Sequence, residues 1–423
     1  MAKRVLVVGG GGREHVLVRT LLRSPQGPEL LAAPGNVGIA RDGVECLPDG
    51  DLVAAARERE VDLVVVGPEA PLVAGLVDEL AAAGIAAFGP SRAAARIEGS
   101  KAYAKELMRS CGVPTASHVL FRDREEAAAH MACASYPAVL KADVLAAGKG
   151  VIIAPGEREA RAALDVFFSE RRFGDTEVVL EEFLEGEELS LLALCDGERA
   201  VPLAPAQDYK RIFDRDEGPN TGGMGSYSPV PGVDADRAEE IAALAHQPIV
   251  DELRRRGTPF HGVLYAGLMM TAAGPKVLEY NCRFGDPETQ AVLPRLRSDL
   301  LELLEAAARP GGLAGVEPDW SPDWAVTLVL ASRGYPESAS KGDPISGLAE
   351  VEAVEGVEVL HAGTAARGGR IVTAGGRVLN VTALGATPGE ARDRAYEAAE
   401  RIEFEGRQMR GDIAARAVER VEA

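Results

Sequence analysis

The chain has 423 residues, 46% of them hydrophobic and 26% charged, with a formal net charge of −19. That length points to two to four domains rather than one core, and the acidity disfavours non-specific nucleic-acid binding, so any anionic ligand must be held by local cations. No apolar run reaches the roughly 18 residues of a membrane span, and five scattered cysteines, never in a CxxC pair, argue against a disulfide framework or a structural zinc site.

In chain order, residues 5–8 predict a buried strand that starts almost at Met1, with no apolar leader or cleavage site ahead of it, so the expected location is cytoplasmic. The strand ends at Gly9-Gly10-Gly11-Gly12-Arg13-Glu14-His15, either a phosphate-cradling turn or a tight structural one. It is not the dinucleotide fingerprint, because Glu14 or His15 falls where the third glycine belongs. Strands at 62–66 and 85–88 and helices at 52–60 and 73–83 complete a small doubly wound α/β unit. A helix is predicted from Ser100, its N-cap, to about Ser110. Residues 138–141 and 178–182 bracket a further α/β segment, and residues 207–232 read as a long Gly/Pro-rich loop without periodicity, a length that is usually functional. The stretch 309–323 reads as a boundary; beyond it strands at 325–330, 371–374 and 378–383 and a helix from about Pro388 predict a small β-rich domain.

Only eight of the 46 basic residues are lysines, and five of those (Lys101, Lys105, Lys141, Lys149, Lys210) lie between 101 and 210. Where arginine is the default cation, a persisting lysine suggests a need for a compact charge. Lys141 ends one apolar run, the small residues Ala146-Ala147-Gly148-Lys149-Gly150 follow, and a second strand begins. Such a loop lets backbone N–H groups approach phosphate oxygens between two ammonium groups. It is not a Walker A loop, since Gly150 stands where Ser or Thr is required. Glu181-Glu182-Phe183-Leu184, with Glu188 a few residues on, could offer backbone groups to an adenine edge and a carboxylate to ribose, or be a solvated acidic turn. Strand periodicity puts Glu279 and Asn281 on one face, a donor pair suited to Mg2+ shared with nucleotide phosphates, with Arg283 two residues further for a carboxylate or phosphate. Cys282 between them is a buried inert thiol or, less simply, a nucleophile. Asp208, Lys210 and the Pro219–Gly225 glycines, Gly222 and Gly223 among them, suggest a loop closing on substrate.

Taken together, GGREH at 11–15, PGN at 34–36, GPEAPLV at 67–73, EGSK at 98–101, LAAGKGV at 145–151, PNTGGMG at 219–225, LEYNCRFGDPETQ at 278–290 and HAGT at 361–364 resemble the phosphoribosylamine–glycine ligase family of purine biosynthesis. The resemblance covers essentially the whole chain. It implies an ATP-grasp enzyme of mixed α/β and α+β fold: a Rossmann-like substrate domain over 1–103, an ATP-grasp domain over 104–324 with a mobile lobe at about 120–190, and a β-rich C-terminal domain over 325–423. Carried over by position, Lys105, Lys141 and the loop Ala146–Gly150 would hold phosphates, Glu181 to Leu184 the adenine, Glu188 the ribose, and Glu279 with Asn281 magnesium or manganese. Gly10, Gly11, Gly12, Arg13, Glu14, Pro34, Gly35, Asn36 and Glu69 would face 5-phosphoribosylamine. Asp208, Lys210, Gly222, Gly223, Arg283 and Asp286 would serve the glycine end, with Arg283 and Lys149 closest to the chemistry.

The reaction implied is acyl activation by ATP followed by amide formation, which needs no protein nucleophile. Partners would be small molecules, with neither nucleic acid nor membrane. A monomer is expected, in at most transient contact with the preceding pathway enzyme. Val144 stands where relatives carry glycine, which should stiffen the phosphate loop, and Tyr209 replaces a common histidine, so that position should not transfer protons. The rival readings are an ATP-grasp ligase of another acid or amine, a nucleotide-binding regulator without turnover, and a dinucleotide-dependent oxidoreductase.

Overall fold

The computed structural model describes residues 2–145 and 150–422. The loop positions Ala146, Ala147, Gly148 and Lys149 lie outside the described residues. Among those described, no helix is long and apolar enough to cross a membrane.

The first unit is a five-stranded parallel sheet in the order Glu45–Cys46, Glu29–Pro34, Arg4–Gly9, Leu63–Val66, Ala86–Phe88. Its middle strands are apolar and buried over residues 5–8, 30–33 and 63–66 because helices cover both faces. The predicted helix at 73–83 is two helices, Glu69–Ala74 and Leu76–Ala82, broken at Gly75, whose φ of +100° ends the first in a left-handed cap. Ser100 caps the helix Lys101–Cys111 as predicted, its Oγ accepting the Tyr103 N–H at 3.1 Å.

Residues 118–182 form a four-stranded antiparallel sheet, ordered His118–Phe121, Val178–Glu182, Ala138–Ala142, Val151–Ala154. Phe121, Leu140, Phe167 and Leu180 give it a hydrophobic cluster of its own. A lobe with a separate core can move as a body without opening the main one. Opposite it stands a second antiparallel sheet, ordered Ala200–Pro202, Glu187–Asp196, His261–Thr271, Gly274–Asn281.

The stretch 207–232 differs from its expectation. It holds the strands Gln207–Asp208, Arg211–Phe213, Glu217–Asn220 and Gly225–Ser228. Gly225–Ser228 pairs with Trp324–Ala331, inside a sheet completed by Arg377–Gly385 and Val357–His361. A Gly-Ser-Tyr-Ser segment has little strand propensity. It is a strand because Tyr227 is buried beside Trp324, their rings stacked at 6.4 Å, and because a long-range partner completes its ladder. The middle unit thus lends two strands, Gln207–Asp208 and Gly225–Ser228, to the C-terminal sheet, which brings Arg377 to the cleft.

Candidate active site

A cleft of about 630 Å3 lies between the two antiparallel sheets and the C-terminal ends of the first sheet's strands. Glu279, opposite Gly267, and Asn281, opposite Tyr265, line it from the strand Gly274–Asn281. Burial opposes ionisation of Glu279, but the cations of Lys210, Lys141 and Lys101 and the Arg283 guanidinium outweigh it and hold its carboxyl below the usual range. Asn281 Oδ1 accepts from Arg283 Nη2 at 3.0 Å, so the three side chains share one side, as the two-residue period requires. No group of three or more His, Cys, Asp or Glu side chains gathers as a metal cage among the described residues. One carboxylate beside one amide oxygen fits instead a hard cation that takes its remaining ligands from phosphates and water.

Lys105 and Lys141 converge on one buried carboxylate. Glu181 Oε2 lies 3.0 Å from Lys141 Nζ, and Oε1 lies 3.1 Å from Lys105 Nζ. Lys141 also donates to Leu278 O at 3.0 Å, and Lys105 to Thr115 Oγ1 at 2.7 Å. Burial pushes Lys105 down to about 8 against the pull of Glu181. Glu181 therefore faces the lysines rather than solvent, while the turn that follows it at 185–187 is exposed. Glu182 Oε1 accepts from the Ser117 N–H at 3.0 Å and Lys276 Nζ at 3.1 Å, and Phe183 and Leu184 border the cleft. Lys101 belongs to the same lysine cluster. Its Nζ donates to Val144 O at 3.0 Å and it lines the same cleft.

On the far wall, Lys210 Nζ pairs with Glu188 Oε2 at 2.8 Å. Asp208 is pushed up to about 7, first by burial and then by the charges of Glu288 and Glu188, with Lys210 acting the other way. Tyr209 between them faces away: its hydroxyl accepts the Ala414 N–H at 3.0 Å, and Arg410 stacks 4.8 Å from its ring. Burial pushes that phenol up to about 12.

Arg283 is the best-held cation in the cleft. Nε meets Glu69 Oε2 at 3.2 Å, Nη2 meets Glu98 Oε1 at 3.1 Å, and Nη1 donates to Phe284 O at 3.2 Å. Burial works against its charge, but Glu98 and Glu69 raise its pKa. Glu98 also accepts the Cys282 N–H at 2.7 Å; burial pushes that thiol far up, which leaves it inert. Asp286 is tied to Arg377 Nη2 at 2.8 Å and Gln290 Nε2 at 2.7 Å. Arg377 Nη1 also donates to Gly222 O, so Gly222 and Gly223 form a braced turn rather than a free loop; a Cβ on Gly223 would fall 2.4 Å from Pro287 Cδ.

Arg13 and Glu69 reach the cleft from the first unit. Glu14 binds Arg13 Nε at 2.6 Å and caps the Gly11 N–H at 2.6 Å, filling space that Gly67 leaves open. The turn at Gly10, Gly11 and Gly12 packs against the Pro34, Gly35 and Asn36 turn, where a Cβ on Gly10 would lie 2.3 Å from Gly35 O. Asn36 spends its amide on backbone: Oδ1 accepts from Gly38 and Ile39, and Nδ2 donates to Gly10 O at 3.0 Å and His361 O at 2.8 Å. It thus shapes the turn, and its carbonyl accepts the Ala40 N–H at 3.0 Å. The residues missed from sequence are Glu98, Ser190, Tyr265, Glu288 and Arg377. Glu98 lies inside the EGSK motif and Glu288 inside LEYNCRFGDPETQ; the others carried no local signal.

Two facing antiparallel sheets, with Lys141 on one, an acid–amide pair on the other and Lys105 reaching in from the helix Lys101–Cys111, define an ATP-grasp protein. A biotin carboxylase domain from Hydrogenobacter thermophilus shares the fold at TM-score 0.72 and 19% identity, over 97% of this chain and 92% of its own. The chain belongs to the phosphoribosylglycinamide synthetase family: residues 3–98 match the family's N domain, 99–289 its ATP-grasp (A) domain and 325–416 its C domain. The phosphoribosylamine–glycine ligases of Streptomyces coelicolor and Rhizobium meliloti are 52% and 50% identical to it, covering 98% and 99% of this chain and 99% of their own lengths. A crystal structure of the Thermotoga maritima phosphoribosylamine–glycine ligase superposes with TM-score 0.81 at 36% identity, over 97% of this chain and all of that one. ATP and a divalent metal are the working partners of ATP-grasp enzymes.

Proposed function

We propose that this enzyme joins glycine to 5-phosphoribosylamine in the cytoplasm, with ATP and magnesium or manganese, releasing ADP and phosphate. The observation that carries the reading is the convergence of Lys105, Lys141 and Lys210 with Glu279 and Asn281 on one cleft that also holds Arg283 and Arg13. Glycine's carboxylate oxygen attacks the γ-phosphorus, the bond to the β-phosphate bridge breaks, and ADP leaves. The amine of phosphoribosylamine then attacks the acyl carbon, loses one proton, and expels phosphate with the bridging oxygen.

Lys105 and Lys141 bind the triphosphate, drawn off Glu181, and the loop at 146–150 covers it. Residues 181–184 hold the adenine and Glu188 the ribose. Glu279 and Asn281 would hold the metal, which neutralises phosphoryl charge when bound. Arg283 orients glycine together with Asp208, Lys210 and Asp286, and the lobe at about 120–190 closes to keep water from the acyl phosphate. The residues Gly10–Glu14, Pro34–Asn36 and Glu69 form the phosphosugar side, which favours this ligase over one using another amine. The working unit in this reading is a single chain divided at about 103 and 324, since every group named lies on it.

Phosphate release measured with glycine and phosphoribosylamine each omitted in turn tests the assignment. It is expected only when both are present with ATP; release with either one missing would overturn it. A pH prediction follows from Lys105, whose ammonium form must meet the phosphates. With its pKa pushed down to about 8 in the free enzyme, the ammonium is present below that pH and lost above it. The kcat/KM for ATP should therefore fall as pH rises through about 8. In Lys105→Arg this limb should vanish, because a guanidinium stays charged.

A further inference from the structure

The floor of the cleft holds a carboxylate with an unmet valence. Ser190 and Tyr265 project from neighbouring strands, their hydroxyls 2.9 Å apart. Tyr265 donates to Glu288 Oε1 at 2.6 Å, and Ser190 Oγ stands 3.3 Å from Asp208 Oδ1. Glu288 is only 3% exposed, yet it borders the cleft, and its Oε2 has no hydrogen-bond partner among the described residues. Gly285 leaves room for that oxygen, since a Cβ there would lie 2.4 Å from it. The surrounding cations are committed elsewhere: Lys210 to Glu188, Arg377 to Asp286, and Arg283 to Glu69 and Glu98. A buried carboxylate with an orphaned oxygen, beside a second that is half-buried on the cleft wall, leaves a deficit that a small cationic donor would fill.

We infer that Glu288, steadied by Tyr265 and Ser190 and joined by Asp208, seats the ammonium group of the amino-acid substrate and selects glycine by that charge. The inference rests on the glycine-activating reading above. It assigns the two ends of glycine to opposite chemistry, the carboxylate to Arg283 and the nitrogen to the diacid. An ammonium held between carboxylates keeps its three protons, so its lone pair stays unavailable. The acyl phosphate then meets one nucleophile, the amine of phosphoribosylamine; no bond to the glycine nitrogen forms or breaks.

The test compares glycine with glycolate, which carries a hydroxyl in place of the ammonium, by ADP formation in the full-length enzyme with ATP and phosphoribosylamine. The wild type should favour glycine by roughly a thousandfold or more in kcat/KM, as expected where buried polar groups would be left unpaired. Glu288→Gln should raise the glycine KM by about thirtyfold, leave the ATP KM within about threefold, and cut the glycine-to-glycolate preference at least about tenfold. Glu288→Asp should recover part of that preference. Tyr265→Phe, which keeps the carboxylate but frees it, should lower the preference by a smaller factor and supplies the reading if Glu288→Gln does not fold. An unchanged preference in the folded variants, even with lowered stability, overturns the assignment. A wild type that makes no ADP in response to glycine overturns instead the ligase reading on which it rests.

Discussion

Glu279→Ala is expected to lower ADP formation by roughly a thousandfold at ordinary magnesium, the scale of losing one well-placed electrostatic stabiliser of phosphoryl charge. The protein should stay folded, because the cations around Glu279 keep other partners: Lys141 retains Glu181 and Leu278 O, Lys210 retains Glu188, and Lys101 retains Val144 O. Loss of the carboxylate therefore removes the proposed metal ligand without stranding a buried charge. Circular dichroism and steady-state kinetics over a magnesium titration check this. Near-normal turnover in a folded variant would remove the metal assignment, and a partial rescue at high magnesium would place the defect in metal binding rather than in the fold.

Arg283→Ala should act on both affinity and stability. The guanidinium stands between Glu69 and Glu98 and also holds Asn281. Its removal leaves two acids facing each other and withdraws the cation proposed for the glycine carboxylate. The glycine KM should rise by about a hundredfold, more than the ATP KM. Stability should fall by about 3 kcal/mol, the lower end of the cost of breaking a buried pair, because Glu69 is partly exposed. Arg283→Lys should restore most of the stability, since a charge is back between the acids, but little of the glycine affinity, because an ammonium cannot reproduce the fork. A larger effect on ATP than on glycine would contradict the role given to Arg283.

The orphaned carboxylate at Glu288 and the braced turn at Gly222 and Gly223 bear on how the site was legible. The motif around 278–290 could be read as chemistry because a strand's two-residue period aligns Glu279, Asn281 and Arg283 with no further information. Ser190 and Tyr265 could not. A serine and a tyrosine on separate strands look like ordinary strand residues until the pairing of Glu187–Asp196 with His261–Thr271 brings them together. Glu181 lay between the two cases: its sequence position suggested the nucleotide, but only packing turned its carboxylate toward two lysines.

By itself the amino-acid sequence determined the acidic, lysine-poor background, the capped helix at Ser100, three of the five strands of the first unit, and the shared face of Glu279, Asn281 and Arg283. Each rests on local signals, a cap, an apolar run or a short period, that act within a few residues. Only the tertiary structure decided that Gly225–Ser228 is a strand, that Arg377 reaches Asp286 across 91 positions, and that Glu288 is left one partner short. Those outcomes depend on which surfaces meet, and pairing and burial between distant segments outweigh the weak preferences of the residues involved.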